Sequence, residues 1–140
     1  VVARSEHAYV LLNNYPYNPG HAMVIPYQHT GDFGELPDPV LLDHARLKAR
    51  TFDALEAALA PDGFNAGLNL GEGAGGSIGD HLHTHVVPRW SGDTNFMPVV
   101  GETKVIVEAV EETYAQLREA FAGLDGVRAG GEDEAVLVEG

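Results

Sequence analysis

The stretch that decides the fold of this chain is His81-Leu82-His83-Thr84-His85-Val86-Val87. Its three histidines alternate with other residues, and its β-branched valines and threonine favour a strand. Successive side chains on a strand point to opposite faces, so the three imidazoles share one face, about 6.6 to 6.8 Å apart for each two residues. The stretch therefore predicts a strand, residues 81–88, that presents three histidines to one pocket.

Further strands are predicted on the N-terminal side of this stretch. Residues 8–13 form a short apolar run, Asn18-Pro19-Gly20 is a turn signal, and residues 21–26 are a returning strand. These elements make a hairpin. Residues 64–70 alternate apolar and polar side chains, which is the period of a half-buried strand whose polar face lines a site.

Two amphipathic helices are also predicted. The first has Asp38 as its N-cap and Pro39 in its first turn, and it stops before Pro61-Asp62-Gly63. The second covers residues 104–122. Apolar side chains recur in them with helical spacing, at Leu42, Leu47, Leu55 and Leu59 and at Val107, Val110, Tyr114, Leu117 and Phe121.

These elements predict one α+β domain with a mainly antiparallel sheet and two helices, because runs of strands do not alternate regularly with helices. We place the domain at residues 1–124 and expect residues 125–140 to be an acidic, glycine-rich tail with one apolar patch at Ala135–Val138. Because the first residues, beginning at Val1, already have the character of a structured stretch, we expect the native polypeptide to extend upstream.

Composition limits the classes of partner. The chain has 8 Lys and Arg against 21 Asp and Glu, a formal net charge of −13, which argues against long nucleic acid and anionic membranes. A small phosphate ligand stays compatible with this charge, because local backbone amides can hold it. There are no cysteines and no apolar run of about 20 residues. A cytoplasmic protein is the expectation.

The histidine row admits two chemical interpretations, a metal site and a catalytic site. Alternating histidines on a strand can supply two or three zinc ligands. The loop immediately upstream favours catalysis on a phosphate, because Gly75, Gly76 and Ser77 offer backbone N–H groups and a hydroxyl that can surround an anion. A glycine-rich loop also occurs as a plain turn between strands, so the loop alone is weak evidence.

The stretch at residues 81–87 resembles the signature of the histidine triad (HIT) superfamily, His-φ-His-φ-His-φ-φ, in which φ is hydrophobic; Thr84 is the one departure. A buried Thr84 hydroxyl would need a partner. The resemblance extends from about residue 2 to residue 105. Gly75-Gly76-Ser77 before the triad and Pro88-Arg89-Trp90 after it are similar to the actinobacterial branch that phosphorolyses diadenosine tetraphosphate.

The resemblance implies a nucleotidyl-histidine mechanism. The middle histidine, His83, would attack the α-phosphorus while a backbone carbonyl holds its other ring N–H. His85 would contact the leaving group, and His21 would support the triad from behind, unless it is only a histidine at a strand start. The remaining donors to phosphate would be His81, Ser77 and Gly76.

Four further residues are candidate substrate contacts. Asn13 matches the family position that hydrogen-bonds a ribose hydroxyl, and Asn69 could contact a phosphate, although either could be a turn-capping amide. Trp90 is equally compatible with stacking on a base and with the core. Arg89 could offset phosphate charge or be solvated.

The expected reaction is therefore phosphorolysis of dinucleoside polyphosphates such as diadenosine tetraphosphate to ADP and ATP, with nucleotide and inorganic phosphate as partners. Hydrolysis of dinucleoside polyphosphates or of nucleoside phosphoramidates is the alternative, followed by a non-catalytic nucleotide-binding or zinc-binding protein. No metal cofactor is expected, apart from Mg²⁺ accompanying the substrate. The resemblance also implies a homodimer, for which the helix face from Leu47 to Leu59 is the expected interface.

Overall fold

The computed structural model of the chain describes residues 1–13, 18–71, 73, 81–93, 103–128 and 135–139, with only the backbone for 103–109. The elements are β1 (Ala3–Arg4), β2 (Ala8–Leu12), β3 (Ala22–Pro26), α1 (Asp38–Leu59), β4 (Gly63–Gly67), β5 (Thr84–Arg89), α2 (Thr103–Ala122), β6 (Val127–Arg128) and β7 (Val136–Val138). A short 3-10 helix, Phe33–Glu35, precedes α1. The strands form one mostly antiparallel sheet in the order β4-β5-β3-β2-β1-β7-β6. This confirms the predicted α+β class.

The hairpin and the first helix follow the local sequence signals. β2 and β3 pair antiparallel, with Ala8 opposite Pro26 and Leu12 opposite Ala22. α1 spans the predicted residues, but its N-cap is Pro37, so the expected cap at Asp38 is wrong by one residue. The helix ends at Leu59, and its C-cap residue Ala60, in the left-handed conformation, turns the chain toward β4.

Both helices contribute to the main core. Leu47 and Leu55 of α1 and Leu117 and Phe121 of α2 are almost fully buried in the same apolar cluster as the side chains of the central strands. The face from Leu47 to Leu59, expected to be a dimer interface, is therefore committed to the chain's own core, and that expectation is wrong. Within the described residues no helix is both long and apolar enough to cross a membrane.

The strand predicted at residues 64–70 is shorter and more exposed than expected. β4 ends at Gly67 and lies at the edge of the sheet, where β5 is its neighbour. Phe64 is half-buried against Phe52, with ring centroids 5.0 Å apart, whereas Ala66 is exposed and Leu70 is 45% exposed. The alternation correctly predicts a strand, but Ala66 and Leu70 are exposed and Leu68 is only half-buried.

The C-terminal segment, expected to be a tail outside the domain, contributes two strands to the sheet. β7 pairs parallel with β1 and antiparallel with β6. Val136 and Val138 are buried while Leu137 between them is 47% exposed, which is the alternation of a strand with one covered face. A domain boundary after residue 124 therefore divides a continuous sheet.

The histidine stretch enters the sheet later than predicted. β5 begins at Thr84, so His81 and His83 precede the strand itself, and the Leu82 N–H donates to the Thr30 carbonyl. The side chains still alternate, because Leu82 and Thr84 are buried while the histidines are half-buried. The predicted common face for the three imidazoles is confirmed by this burial pattern.

Candidate active site

The site is assembled on the face of β3 and β5 that does not pack on α1. Met23 lies opposite His85 across the β3–β5 pair, and His21 immediately precedes β3. The rings of His83 and His85 meet edge to face, with centroids 4.8 Å apart and planes at 73°. The rings of His21 and His85 are 5.0 Å apart. Three histidines from two distant parts of the chain thus share one site.

The hydrogen bond of His83 defines its tautomer. Its Nδ1 lies 2.9 Å from the backbone carbonyl oxygen of His81. A carbonyl only accepts, so Nδ1 carries the proton and the neutral ring presents an unprotonated Nε2. An imidazole nitrogen with a lone pair is a nucleophile. The hydrogen bond from His83 to a backbone carbonyl is the one that the resemblance implied for this ring.

His21 and His85 share a second hydrogen bond, 2.9 Å between Nε2 of His21 and Nδ1 of His85. Burial, reinforced by the charge that His85 would carry, lowers the pKa of His21 to about 4. Burial also lowers the pKa of His85, with a smaller contribution from the charge that His83 would carry. Both rings are therefore neutral near pH 7. The Asn13 amide nitrogen lies 3.5 Å from Nδ1 of His21, which favours a proton on Nε2 of both rings.

His81 faces the opposite end of this row. Its Nε2 donates to the carbonyl of Pro26 across 2.7 Å, and its ring stacks on His29 with centroids 4.8 Å apart and planes at 17°. His29 was not predicted from the sequence, since it stands alone in a polar loop and lacks the alternation that marks the triad. The loop after β3 thus fixes the first triad histidine.

The structure describes only some of the predicted substrate contacts. Gly76 and Ser77 lie outside the described residues. Asn69 is exposed beyond β4 and makes no hydrogen bond to another described residue, whereas Trp90 is half-buried at the end of β5. Of the two predicted asparagine contacts, both of which are described, Asn13 lies beside a histidine of the site.

Arg89 is held by a neighbour that the sequence did not single out. Its Nε and Nη2 donate to the two carboxylate oxygens of Asp93 across 2.8 and 2.9 Å, and Nη1 donates to Asn65. Asp93 also accepts from the side chain of Asn18 and the Trp90 N–H. These donors, Arg89 foremost, hold the pKa of the Asp93 carboxyl well below its usual range.

We call Arg89, Asp93 and Asn18 the Asp93 clamp. Asn18 also donates to the carbonyl of Pro88, so the clamp ties the hairpin turn to the end of β5. Arg89 is therefore held in place by Asp93 and Asn65 and is not simply solvated. The sequence signal that could have pointed to Asp93 is the turn Ser91-Gly92-Asp93, because Asp side chains in turns commonly accept hydrogen bonds from nearby backbone N–H groups.

The described residues were also compared with the needs of a metal ion. Among them, no three His, Asp or Glu side chains are arranged to hold one. Nδ1 of His83 and Nε2 of His81 both bind carbonyls, so each of these rings has one nitrogen already used. One nitrogen of each ring is left over, as both a nucleophile and a metal ligand require.

Comparisons with known proteins identify the family of this chain. The family model of the HIT domain matches residues 1–92. The chain is 47% identical over 125 residues to an AP-4-A phosphorylase of Mycobacterium tuberculosis; the match covers 87% of this chain and 63% of that protein. The chain thus spans less than two thirds of that relative.

Solved structures give the same assignment. A Zn-bound histidine triad family protein from Mycobacterium smegmatis has a TM-score of 0.72 at 31% identity, over 89% of this chain and 84% of that one. A hypothetical histidine triad nucleotide-binding protein from Sulfolobus tokodaii has a TM-score of 0.74 at 28% identity, over 94% and 87%. The chain therefore belongs to the HIT domain family.

Proposed function

We propose that this chain transfers a nucleotidyl group through His83, and that its reaction is phosphorolysis of dinucleoside polyphosphates such as diadenosine tetraphosphate. The observation that carries the proposal is the hydrogen bond from Nδ1 of His83 to the carbonyl of His81, which leaves an unprotonated Nε2 on the ring. Identity of 47% to a protein named AP-4-A phosphorylase supports this substrate class.

The first step forms a bond between Nε2 of His83 and the α-phosphorus, and breaks the bond from that phosphorus to the bridging oxygen. With diadenosine tetraphosphate the leaving group is ATP. His85 is the group we assign to this oxygen, because a proton on its Nε2 can neutralise the developing charge. The hydrogen bond between His21 and His85, with Asn13 behind it, keeps that proton on Nε2.

The second step transfers the AMP group to an acceptor. An oxygen of inorganic phosphate attacks the α-phosphorus, the bond to His83 breaks, and ADP is released with neutral His83 regenerated. Water in the same position would give AMP. The proposed donors to the phosphate oxygens are Gly76 and Ser77. His81, predicted as a third donor, gives the N–H of its Nε2 to the Pro26 carbonyl, so we assign it to orienting the triad stretch instead. Asn13, Asn69 and Trp90 remain proposed contacts to the rest of the nucleotide.

The test is incubation with diadenosine tetraphosphate, with and without phosphate, followed by chromatography. ADP and ATP in equal amounts, formed only with phosphate, support phosphorolysis; AMP and ATP without phosphate would assign hydrolysis. His83→Ala should abolish both reactions and retain the fold. His7→Ala is the matched control, because the His7 ring contacts Glu6 and not the triad. Full turnover by His83→Ala would refute the proposal.

We propose that no bound metal takes part, and that Mg²⁺ acts only by accompanying the polyphosphate. The Zn-bound solved relative makes zinc the rival to exclude. After treatment with a chelator and gel filtration, the protein should regain its full activity when Mg²⁺ alone is added. Stoichiometric zinc in the purified protein, with activity lost when it is removed and regained only with zinc, would favour the metal-binding alternative.

A homodimer remains part of the proposal, with β4 in place of α1 as its interface. β4 is one of the two edge strands in the described sheet, and its residues Asn65, Ala66 and Gly67 are exposed. An exposed strand edge is a template for pairing with another strand. Light scattering after size exclusion should give twice the chain mass, and Ala66→Glu should shift it toward the monomer. A monomeric wild type would remove the dimer from the proposal.

Fractionation of cells would test the expected cytoplasmic location.

A further inference from the structure

A buried polar contact lies directly behind the histidine row, on the other face of the sheet. Nε2 of His44, on α1, is 2.9 Å from the hydroxyl oxygen of Thr84, on β5. Both residues are only 3% exposed. Among the described residues this is the one side-chain hydrogen bond between α1 and β5. The hydroxyl that interrupts the hydrophobic pattern of the triad stretch has therefore found a specific partner.

This contact is the hydrogen bond available to the His44 ring. Burial, with a smaller contribution from Lys48 that Asp43 opposes, lowers the pKa of His44, so the ring is neutral. Its Nδ1 is buried and has no hydrogen-bond partner among the described residues. A neutral imidazole and a hydroxyl can each donate or accept, so the bond forms with either tautomer of His44. Loss of either partner leaves the other buried and unpaired.

Thr84 stands between His83 and His85, so its position is transmitted to both. Side chains alternate along β5, and a hydrogen bond that restrains Thr84 on one face restrains the Cα atoms that carry the two imidazoles on the other. α1 is a 22-residue helix buried against the sheet through Leu47 and Leu55. It is a rigid support for such a restraint. Displacements of about 1 Å can cost an enzyme a hundredfold in rate.

We infer that His44 is a positioning residue, which acts through Thr84 to hold His83 and His85 at the height and spacing needed for nucleotidyl transfer. The inference rests on the proposed function for its kinetic consequence, but not for its structural one. His44 touches no substrate in this scheme. Its contribution is confined to the geometry of β5, so it should affect kcat more than KM.

The experiment compares four variants of the pair with one control. Thr84→Val and His44→Leu each remove the hydrogen bond, the double variant replaces it with an apolar contact, and His44→Gln keeps a donor of similar reach. Thr51→Val is the control. Thr51 is a fully buried threonine of the same helix, but its hydroxyl donates to Leu47 within α1 and makes no link to β5.

We expect Thr84→Val and His44→Leu to lower kcat at least tenfold with KM within twofold of wild type. The double variant should lose no more than the worse single variant, and His44→Gln should stay within threefold of wild type. Thr51→Val should lower Tm and leave kcat within twofold. If His44→Leu does not fold, the nearly isosteric Thr84→Val decides. Unchanged kcat in Thr84→Val, or an equal fall in Thr51→Val, would overturn the inference.

A readout without turnover separates this inference from the proposed function. Nitrogen-15 NMR of the histidine rings reports the environment and tautomer of His83 and His85 directly. Their ring signals should shift in Thr84→Val and keep their wild-type positions in Thr51→Val. If the wild type fails to phosphorolyse diadenosine tetraphosphate, the proposed function falls, and these shifts still decide. Identical His83 and His85 spectra in wild type and Thr84→Val would reject the positioning role.

Discussion

The buried histidine His21 makes the stability of this protein depend on pH in a defined window. Its side chain is 1% exposed, and burial with His85 nearby lowers its pKa from 6.5 to about 4. In the unfolded chain the His21 ring binds a proton near pH 6.5, whereas in the folded protein it binds one only near pH 4. The contribution to stability is therefore complete above pH 6.5 and is lost as the pH falls toward 4.

The size of the effect follows from the two pKa values of His21. Each pH unit between them is equivalent to about 1.36 kcal/mol, so the full loss is about 3 kcal/mol, of which about 2 kcal/mol falls between pH 7 and pH 5. His44 and His85, whose pKa values are also lowered, act in the same direction. The lowered pKa of Asp93 changes the stability only below about its ordinary pKa of 3.8, which is outside this pH window.

The assay is urea unfolding followed by circular dichroism at pH 7, 6 and 5. Stopping at pH 5 keeps the protein above its isoelectric point near 4.7. His21→Gln removes the titrating ring and keeps a polar side chain at the position of contact with His85. We expect the free energy of unfolding of this variant to fall about 2 kcal/mol less between pH 7 and pH 5 than that of the wild type. Equal falls in both proteins would refute the assignment of a buried, neutral His21.

Three further predictions concern the supports of the site. Gly20→Ala should lower the free energy of unfolding by at least about 1 to 2 kcal/mol in urea titrations, because Gly20 has φ +84° and an added Cβ would lie 2.6 Å from Leu59; wild-type stability would contradict this close approach. Asp93→Asn should lower Tm at pH 7, since Arg89 and Asn18 both donate to that carboxylate, and an unchanged Tm in calorimetry would show that the clamp contributes no stability. Ser77→Ala removes one proposed phosphate donor and should reduce kcat/KM by about 0.5 to 3 kcal/mol of transition-state stabilisation, with little change in Tm; full efficiency would leave the loop as a connector.

Much of the architecture was predictable because it depends on local periodicity. The 3.6-residue repeat of α1, the turn at Asn18-Pro19-Gly20 and the alternation in residues 81–85 are patterns within a few neighbouring residues. They were enough to predict the hairpin, both helices and the common face of the triad. Weaker local signals failed where tertiary contacts decide burial, as at Ala66 on the edge strand.

The sequence by itself thus determined the family signature, the helices and the histidine row, since each is encoded by the spacing of adjacent side chains. Only the tertiary structure decided that Val136–Val138 completes the sheet beside Ala3–Arg4, a pairing across more than 130 residues. It likewise decided the partner of Thr84, since nothing near Thr84 in the sequence points to His44. The lowered pKa of His21 has the same origin, because desolvation depends on every chain segment that packs around the ring, and no local pattern records that environment.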